Sequence, residues 1–298
     1  MMEVKEVSKV LGGREVLKKV SLAVPKGTIF GLVGENGAGK TTLIKCLTGI
    51  YRVDGGSVLI DGEEVFDNPE VKAKIGYVAD QNHFSPGMKI KELVRFYRLS
   101  YPQFSEARCY ALNQQFQLDL NQRVKNLSKG MKMKLALALN LSFYPEVLIL
   151  DEPTSGLDPL AKRQVTNLLL QEVQERQVTV FISSHHLGDL ERICDAVAII
   201  HRGEIKYVNS LEDMKRNIKK LQVVFAGEPP ENLAAWPEVL AWEKLGRVHY
   251  LVTREYSQAL MEKLRQHRLM FFEEVDLSLE DMFIYATGEE WADAKVLV

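Results

Sequence analysis

The chain has 298 residues, of which 46% are hydrophobic and 26% are charged, and its formal net charge is -2. This length suits about two domains of roughly 150 residues each, and the composition excludes collagen-like, disordered and disulfide-rich classes. The slight negative charge provides no general basic field for nucleic acid or for an anionic membrane surface. Because the three cysteines lie far apart and form no CxxC pair, we expect reduced thiols in the core of a cytoplasmic protein.

The apolar runs of the sequence are too short to cross a membrane. The longest of them, such as 135–139 and 196–200, fall far below the roughly 20 residues that a spanning helix needs. The first six residues alternate between charged and apolar types, which is not the pattern of a secretory signal peptide. We therefore expect a chain that does not itself span a bilayer.

Apolar runs typical of strands that are buried on both faces alternate with helical patterns along the chain. The predicted strands are Thr28–Val33, Val147–Leu150, Val178–Ile182 and Ala196–Ile200. The helical patterns between them include Lys40–Thr48 and Pro159–Glu175. This alternation predicts an α/β fold with a parallel sheet.

Two segments depart from the alternating pattern. Residues from about 86 to 141 show helix-like patterns without a convincing strand, which predicts a helical subdomain inserted into the α/β core. After Gly203 we predict a helix over Leu211–Lys220, three short strands and one further helix. The strands are Leu221–Phe225, Val248–Val252 and Phe271–Val275, and the helix lies near Ser257–Gln266. The predicted domains are therefore an α/β core at 1–210 and a smaller α+β domain at 211–298.

The stretch after the first predicted strand matches the P-loop pattern G-x-x-x-x-G-K-[ST]. Its glycines let the backbone N–H groups point towards an anion, and the start of the following helix adds positive potential. We expect Lys40 to bridge the β- and γ-phosphates of a nucleotide and the Thr41 hydroxyl to bind Mg²⁺. The residues expected to contact the nucleotide are Gly34, Glu35, Asn36, Gly37, Ala38, Gly39, Lys40, Thr41 and Thr42.

Two acidic residues, Asp151 and Glu152, directly follow the predicted strand Val147–Leu150. The carboxyl ends of parallel strands border the ligand crevice in this class of fold. We expect Asp151 to hold Mg²⁺ through water and Glu152 to orient or deprotonate the attacking water. The alternative is that the pair simply caps a helix that begins at Pro153.

Further motifs, in the expected order, resemble those of the ATP-binding cassette (ABC) family, the nucleotide-binding subunits of ABC transporters. Leu127–Met131 is similar to the LSGGQ signature, and Ser155–Asp158 is similar to the D-loop of that family. Ser183–Leu187 resembles the switch-histidine segment, with His185 at the matching position. The resemblance covers about residues 2–208 and implies the P-loop ATPase core of that family.

The resemblance also implies a mechanism in which two such domains sandwich two ATP molecules. Each ATP would lie between the P-loop of one domain and the signature of the other, where Ser128 and Gly130 would bind the γ-phosphate. His185 would contact the same phosphate and hold the attacking water together with Glu152. The implied partners are a separate integral-membrane permease and a second ABC ATPase domain, in a homodimer or a heterodimer. The implied location is the inner face of the cell membrane, and we expect no nucleic-acid partner.

Three positions differ from the family pattern. Leu11 stands where an aromatic residue commonly stacks on adenine. Asp80 aligns with the usual glutamine of the Q-loop and Gln81 follows it, so either could reach Mg²⁺; we favour Gln81 if the loop shifts. Lys129 and Met131 replace a glycine and a glutamine of the signature. A signature with these two substitutions resembles that of the ATPases of ABC-2-type exporters. The C-terminal α+β segment also resembles that branch of the family.

The leading interpretation is an ATP- and Mg²⁺-dependent ATPase subunit of a membrane exporter. Phe96, Tyr97 and Tyr101 are candidates for contact with the permease, with a place in the protein core as the alternative for each. A soluble ABC ATPase of translation or DNA maintenance is a second interpretation. The single P-loop and the short segment between P-loop and signature argue against it. A regulatory module that dimerises on nucleotide without hydrolysis is a third, which Glu152 and His185 argue against.

Overall fold

The computed structural model describes residues 1–82 and 84–287. Within them the chain divides into two compact units. The first unit comprises Met1–Val208 and the second begins at Asn209. The nucleotide-binding motifs of the sequence all lie in the first unit.

Strands and helices alternate over most of the first unit. The strands that begin in it are β1 Met2–Leu11, β2 Arg14–Val24, β3 Ile29–Val33, β4 Gly55–Ile60, β5 Glu63–Glu64, β6 Ile75–Val78, β7 Val147–Asp151, β8 Thr179–Ser184, β9 Ala196–His201 and β10 Glu204–Ser210. The helices are α1 Lys40–Leu47, α2 Pro69–Lys72, α3 Ile90–Ser100, α4 Glu106–Gln115, α5 Lys129–Leu141, α6 Pro159–Arg176 and α7 Leu187–Leu190.

A six-stranded sheet with the order β10-β9-β3-β8-β7-β6 forms the centre of this unit. The neighbouring pairs β9–β3, β3–β8, β8–β7 and β7–β6 are all parallel. Every residue of β3, β7 and β8 is buried, as expected for strands that are covered on both faces. The predicted α/β fold with a parallel sheet is confirmed. Since the three strands are parallel, the loops that follow them emerge at one edge.

A second, antiparallel sheet near the N-terminus has the order β2-β1-β4-β5, and the sequence analysis did not predict it. In β2 the side chains of Val20, Leu22 and Val24 are buried, whereas the residues between them are exposed. This period of two is typical of a strand with one buried face. The buried face joins the same apolar core as Phe30 of β3 and Leu43 of α1.

The span from 86 to 141 holds helices α3, α4 and α5 and a short 3₁₀ turn at Val124–Asn126. Two of the aromatic residues considered for permease contact belong to its interior. Tyr101 stacks on Phe143 with ring centroids 4.2 Å apart, and Tyr97 lies 5.7 Å from Tyr101. Phe96, by contrast, is 58% exposed. Of the three candidates, only Phe96 presents most of its surface to solvent.

The second unit is an α+β structure with a four-stranded sheet of order β12-β13-β11-β14. Its strands are β11 Lys220–Phe225, β12 Val239–Leu245, β13 Val248–Thr253 and β14 Leu269–Val275. Its helices are α8 Leu211–Asn217, α9 Gln258–Gln266 and α10 Leu279–Thr287. Leu260 and Leu264 of α9 share an apolar core with Leu221, Val223 and Leu251 of the sheet.

The second unit differs from the sequence prediction at α8, β12 and α10, the last of which was not predicted. Helix α8 ends at Asn217 instead of continuing to Lys220, because Lys220 is already the first residue of β11. Strand β12 was not predicted. Its sequence lacks the alternation of apolar and polar residues that identifies a half-buried strand, and its last four residues are all exposed.

The cysteines and the helices agree with the expectations from composition. Cys46, Cys109 and Cys194 are all free and buried, as expected for core residues. Among the described helices, none combines the length and the apolar character that crossing a membrane requires.

The stacked pair Phe30 and Phe181 provides a test of the core. Both side chains are almost fully buried, and their ring centroids are 5.8 Å apart. We expect Phe181→Ala to lower the free energy of unfolding by about 3–5 kcal/mol, because it removes apolar contacts and leaves a cavity. Chemical denaturation followed by fluorescence measures the loss. The control is Leu160→Ala at a side chain that is 67% exposed, for which we expect a change within about 0.5 kcal/mol. Equal losses in the two variants would contradict this view of the core.

Candidate nucleotide-binding site

The P-loop, residues 34–41, connects β3 to α1 and is supported by backbone hydrogen bonds. The N–H of Ala38 donates to the carbonyl oxygen of Glu35 at 3.1 Å within the loop. From outside the loop, the N–H of Gly203 in the turn between β9 and β10 donates to the carbonyl oxygen of Ala38 at 2.9 Å. The neighbouring hairpin therefore helps to fix the curvature of the loop.

Two positions of the P-loop require glycine for identifiable reasons. A Cβ on Gly34 would lie 2.5 Å from the carbonyl oxygen of Ile200. Gly39 has a φ of +113°, a backbone conformation that residues with a side chain rarely adopt. The spacing of these glycines thus follows from the close packing of the loop on β9 and from its turn into α1.

Lys40 is the first residue of α1 and is only 6% exposed. Its Nζ donates to the carbonyl oxygen of Gly34 at 2.6 Å and lies 3.2 Å from Oε1 of Glu152. A buried ammonium group needs such partners, because its desolvation would otherwise be costly. The contact joins the P-loop to the acidic pair after β7. It also places the cation where a phosphate in the loop would be bound.

Asp151 is the last residue of β7 and is 3% exposed. Its Oδ1 accepts a hydrogen bond of 2.7 Å from the Ser183 hydroxyl on the adjacent strand β8. Burial raises the pKa of Asp151, and the hydroxyl groups of Ser183 and Thr41 oppose that rise. The charges of Glu152 and Asp80 act in the same direction as burial. A cation at this position would relieve the repulsion among the three carboxylates.

Glu152 has an uncommon backbone conformation that directs its side chain into the site. Its φ is +51°, and its N–H donates to the Ser183 hydroxyl at 3.1 Å. Its Oε2 lies 2.8 Å from Nδ1 of His185, in the loop after β8. A left-handed backbone at a residue other than glycine is often found at functional sites. The structure thus brings Glu152 and His185 into the direct contact that their expected roles require.

A cavity of about 320 Å³ at this edge of the sheet is lined by Val16, Glu35, Asn36, Gly37, Gly39, Lys40, Thr41, Thr42, Asp80 and Glu152. Most of these residues were predicted from the sequence. Val16 was missed, because β2 itself was not recognised and one valine carries no nucleotide signal. Among the described residues, Leu11 does not line the cavity.

The cavity distinguishes between the two candidate Q-loop residues. Asp80 lines it, whereas Gln81 lines a neighbouring cavity together with Asn82 and Lys129. The geometry therefore favours Asp80, although the sequence analysis favoured Gln81. Nζ of Lys129 donates to Oδ1 of Asp80 at 2.7 Å. Two residues that depart from the family pattern are thus direct partners.

The signature residues lie at the start of α5. The Ser128 hydroxyl caps this helix and accepts from the N–H of Met131 at 3.2 Å. Gly130 packs so closely on Leu157 that an added Cβ would lie 3.2 Å from that side chain. In the described part of the chain, neither Ser128 nor Gly130 lines the P-loop cavity.

The available oxygen ligands fit Mg²⁺. Within 1–82 and 84–287, no group of three or more His, Cys, Asp or Glu residues is arranged to hold a metal by itself. Thr41 and Asp80 line the cavity, and Asp151 is linked to Thr41 by a hydrogen bond. Mg²⁺ prefers oxygen and takes several of its ligands from substrate phosphates and water. The donor set therefore fits a magnesium ion that arrives with a nucleotide.

A P-loop whose lysine meets a carboxylate that follows another parallel strand of the same sheet defines a P-loop nucleoside triphosphatase. The family model for ABC transporters matches residues 17–155. The ABC transporter ATP-binding protein YtrB of Bacillus subtilis is 34% identical over 97% of this chain and 98% of its own length. The bacitracin transport ATP-binding protein BcrA of Bacillus licheniformis is 32% identical, over 72% of this chain and 71% of its own.

A solved ATP-binding subunit of an ABC transporter matches with a TM-score of 0.67 and 31% identity, over 72% of this chain and 92% of that one. The chain belongs to the family of ABC transporter ATP-binding proteins. It is an ATP-binding subunit with the ATPase activity of that family.

Replacing Lys40 tests the phosphate cradle. We expect Lys40→Ala to weaken ATP binding by about 100-fold, because charge-assisted hydrogen bonds contribute about 1.5–3 kcal/mol each. Isothermal titration calorimetry measures the affinity. Lys45→Ala is the matched control, since Lys45 lies in the last turn of the same helix with its Nζ over the Tyr51 ring. Tight binding by Lys40→Ala would contradict the assigned role.

Proposed function

We propose that this chain is the ATPase subunit of a membrane exporter. Two copies, or this chain and a related ATPase, bind two Mg²⁺–ATP molecules between them and drive a separate integral-membrane permease. The chain works at the inner face of the cell membrane through that permease. The observation that carries the proposal is the joint contact of Glu152 with Lys40 and His185 at the P-loop.

In this proposal each part of the site has a distinct task. The P-loop N–H groups and Lys40 bind the phosphates, while Thr41 and Asp151 hold Mg²⁺, which neutralises phosphate charge when it is bound. Glu152 takes the proton of the attacking water, and His185 holds the Glu152 carboxylate in position through their 2.8 Å contact. Val16 provides an apolar wall of the cavity for the nucleotide.

The position of the signature supports a dimer. Ser128 and Gly130 begin a helix whose N-terminus favours an anion, yet in the described chain they do not line the P-loop cavity. A second copy that faces the cavity can bring its own Ser128 and Gly130 to the γ-phosphate. ATP then binds the closed dimer better than the open form, and hydrolysis removes this preference.

An exposed apolar pair on α3 is the proposed contact for the permease. Phe96 and Leu99 are 58% and 72% exposed and lie three residues apart, on one face of the helix. The export direction rests on the Lys129 and Met131 substitutions in the signature. The likeness to BcrA, a bacitracin transport ATP-binding protein, also supports it.

Removing the catalytic carboxylate tests the hydrolytic mechanism. We expect Glu152→Gln to bind ATP but to release phosphate at least about 100-fold more slowly, since a positioned general base contributes about 10²–10⁴. A phosphate-release assay checks this. His186→Ala is a control at the neighbouring residue and should retain hydrolysis. Equal rates in wild type and Glu152→Gln would indicate a module that does not hydrolyse ATP.

The same variant tests the dimer. With hydrolysis blocked, we expect ATP and Mg²⁺ to convert Glu152→Gln from monomer to dimer, as measured by size exclusion with light scattering. Adding Ser128→Ala and Gly130→Ala should reduce the dimer fraction without changing ATP binding to the monomer. A Glu152→Gln protein that stays monomeric with ATP would contradict a homodimer and favour a distinct ATPase partner.

The permease contact is tested by charge insertion at Phe96. We expect a pull-down with the tagged wild-type chain to recover a polytopic membrane protein from detergent-solubilised native membranes. Mass spectrometry identifies the recovered protein. Phe96→Asp should lower that recovery by at least about tenfold because it buries an unpaired charge at the interface, while ATP hydrolysis stays unchanged. Ile50→Asp, at a residue that is 52% exposed, is the control. Recovery of ribosomal or DNA-repair proteins instead would contradict transport.

A further inference from the structure

Asp80 occupies a position shared by two cavities. It lines the P-loop cavity with Lys40, Thr41 and Glu152, and it also lines a neighbouring cavity of about 330 Å³. In the second cavity Nζ of Lys129 donates to its Oδ1 at 2.7 Å. A carboxylate at the edge of the nucleotide pocket is therefore already paired with a cation from the signature.

The side chain of Lys129 extends from the start of a helix and passes over a glycine to contact Asp80. It is the first residue of α5, directly after the cap Ser128. Its stem passes over Gly156 in the D-loop, where an added Cβ would lie 3.6 Å from Cδ of Lys129. The ion pair thus brings together the Q-loop, the signature and the D-loop of one chain.

The same carboxylate lines the cavity together with Thr41, and its charge contributes to the raised pKa of Asp151. Two cations, the Lys129 ammonium and the Mg²⁺ of a bound nucleotide, therefore have one acidic group in common. The side chains of Lys129 and Asp80 are 44% and 36% exposed. Because partly exposed ion pairs are weak, a divalent cation can displace the ammonium at modest cost.

We propose that Lys129 competes with nucleotide-bound Mg²⁺ for Asp80, which makes Asp80 a ligand of the metal and Lys129 a positioning residue that acts through it. Lys129 holds and neutralises Asp80 while the site lacks Mg²⁺. When Mg²⁺ and nucleotide bind, Asp80 turns to the metal and the start of α5 loses its tie to the Q-loop. This inference rests on the proposed binding of Mg²⁺ and ATP in the P-loop cavity.

The competition predicts opposite effects on the magnesium dependence of nucleotide binding. The quantity to measure is the ratio of the Kd in EDTA to the Kd in Mg²⁺, by calorimetry with AMP-PNP, an analogue that is not hydrolysed. Lys129→Met leaves Asp80 unpaired. Its free carboxylate repels the nucleotide when Mg²⁺ is absent and attracts the Mg²⁺–nucleotide complex when Mg²⁺ is present. The ratio should therefore rise, by about two- to fivefold for one partly exposed ion pair. Asp80→Asn should lower the ratio.

The double variant and two controls isolate the pair. In the Asp80→Asn background, Lys129→Met should have no further effect on the ratio, because the shared carboxylate is absent. Lys129→Arg retains a cation and should keep the wild-type ratio. Lys132→Met removes a lysine that lines the same neighbouring cavity and should also keep it.

The outcomes separate this inference from the proposed function. A ratio for Lys129→Met that is unchanged or lower than that of wild type would overturn the competition, and so would an equal rise in Lys132→Met. Wild-type protein that fails to bind AMP-PNP with Mg²⁺ would overturn the proposed function and this inference with it. A rise in Lys129→Met that disappears in the double variant would establish the competition.

Discussion

The parallel register of β3, β7 and β8 is the constraint on which the site depends. It pairs Val33 with Ser184 and Asp151 with Ser183. The P-loop, the acidic pair and the loop that carries His185 therefore leave the sheet at the same level. A shift of one residue in β7 would turn Asp151 to the opposite face and would separate Glu152 from both Lys40 and His185. Burial of the three strands on both faces makes such a shift costly.

Two of the buried charged side chains, those of Lys40 and Asp151, lie at the site. Asp151 ends β7 and Glu152 follows it, while Lys40 begins α1. The Ser183 hydroxyl on β8 donates to the Asp151 carboxylate and accepts from the N–H of Glu152. Repulsion between carboxylates raises the pKa of Asp151 further than burial alone. Such an arrangement is stable only with compensating cations. Lys40 is one of them, and Mg²⁺ with its nucleotide is proposed as the other.

The sequence predicts those parts of the site that depend on local patterns. The P-loop and the Asp-Glu pair each follow an uninterrupted apolar strand, so both the element and the edge of the sheet can be inferred. Strand β2 was missed although its alternation was present, because Lys18 and Lys19 interrupt the apolar signal. The sequence favoured Gln81 over Asp80, because no local pattern shows which of two adjacent side chains lines the cavity. Val16 enters the cavity only through the pairing of β2.

The left-handed backbone of Glu152 affects the stability of the protein when this residue is substituted. This conformation costs most residues with a side chain about 1–2 kcal/mol, whereas glycine and asparagine adopt it more easily. Substitutions that relax the turn therefore remove the proposed catalytic carboxylate at the same time. If selection acted only on the stability of the fold, such substitutions would accumulate at this position. In the proposed mechanism hydrolysis requires a glutamate where the backbone disfavours one, so hydrolysis and stability oppose each other at a single residue.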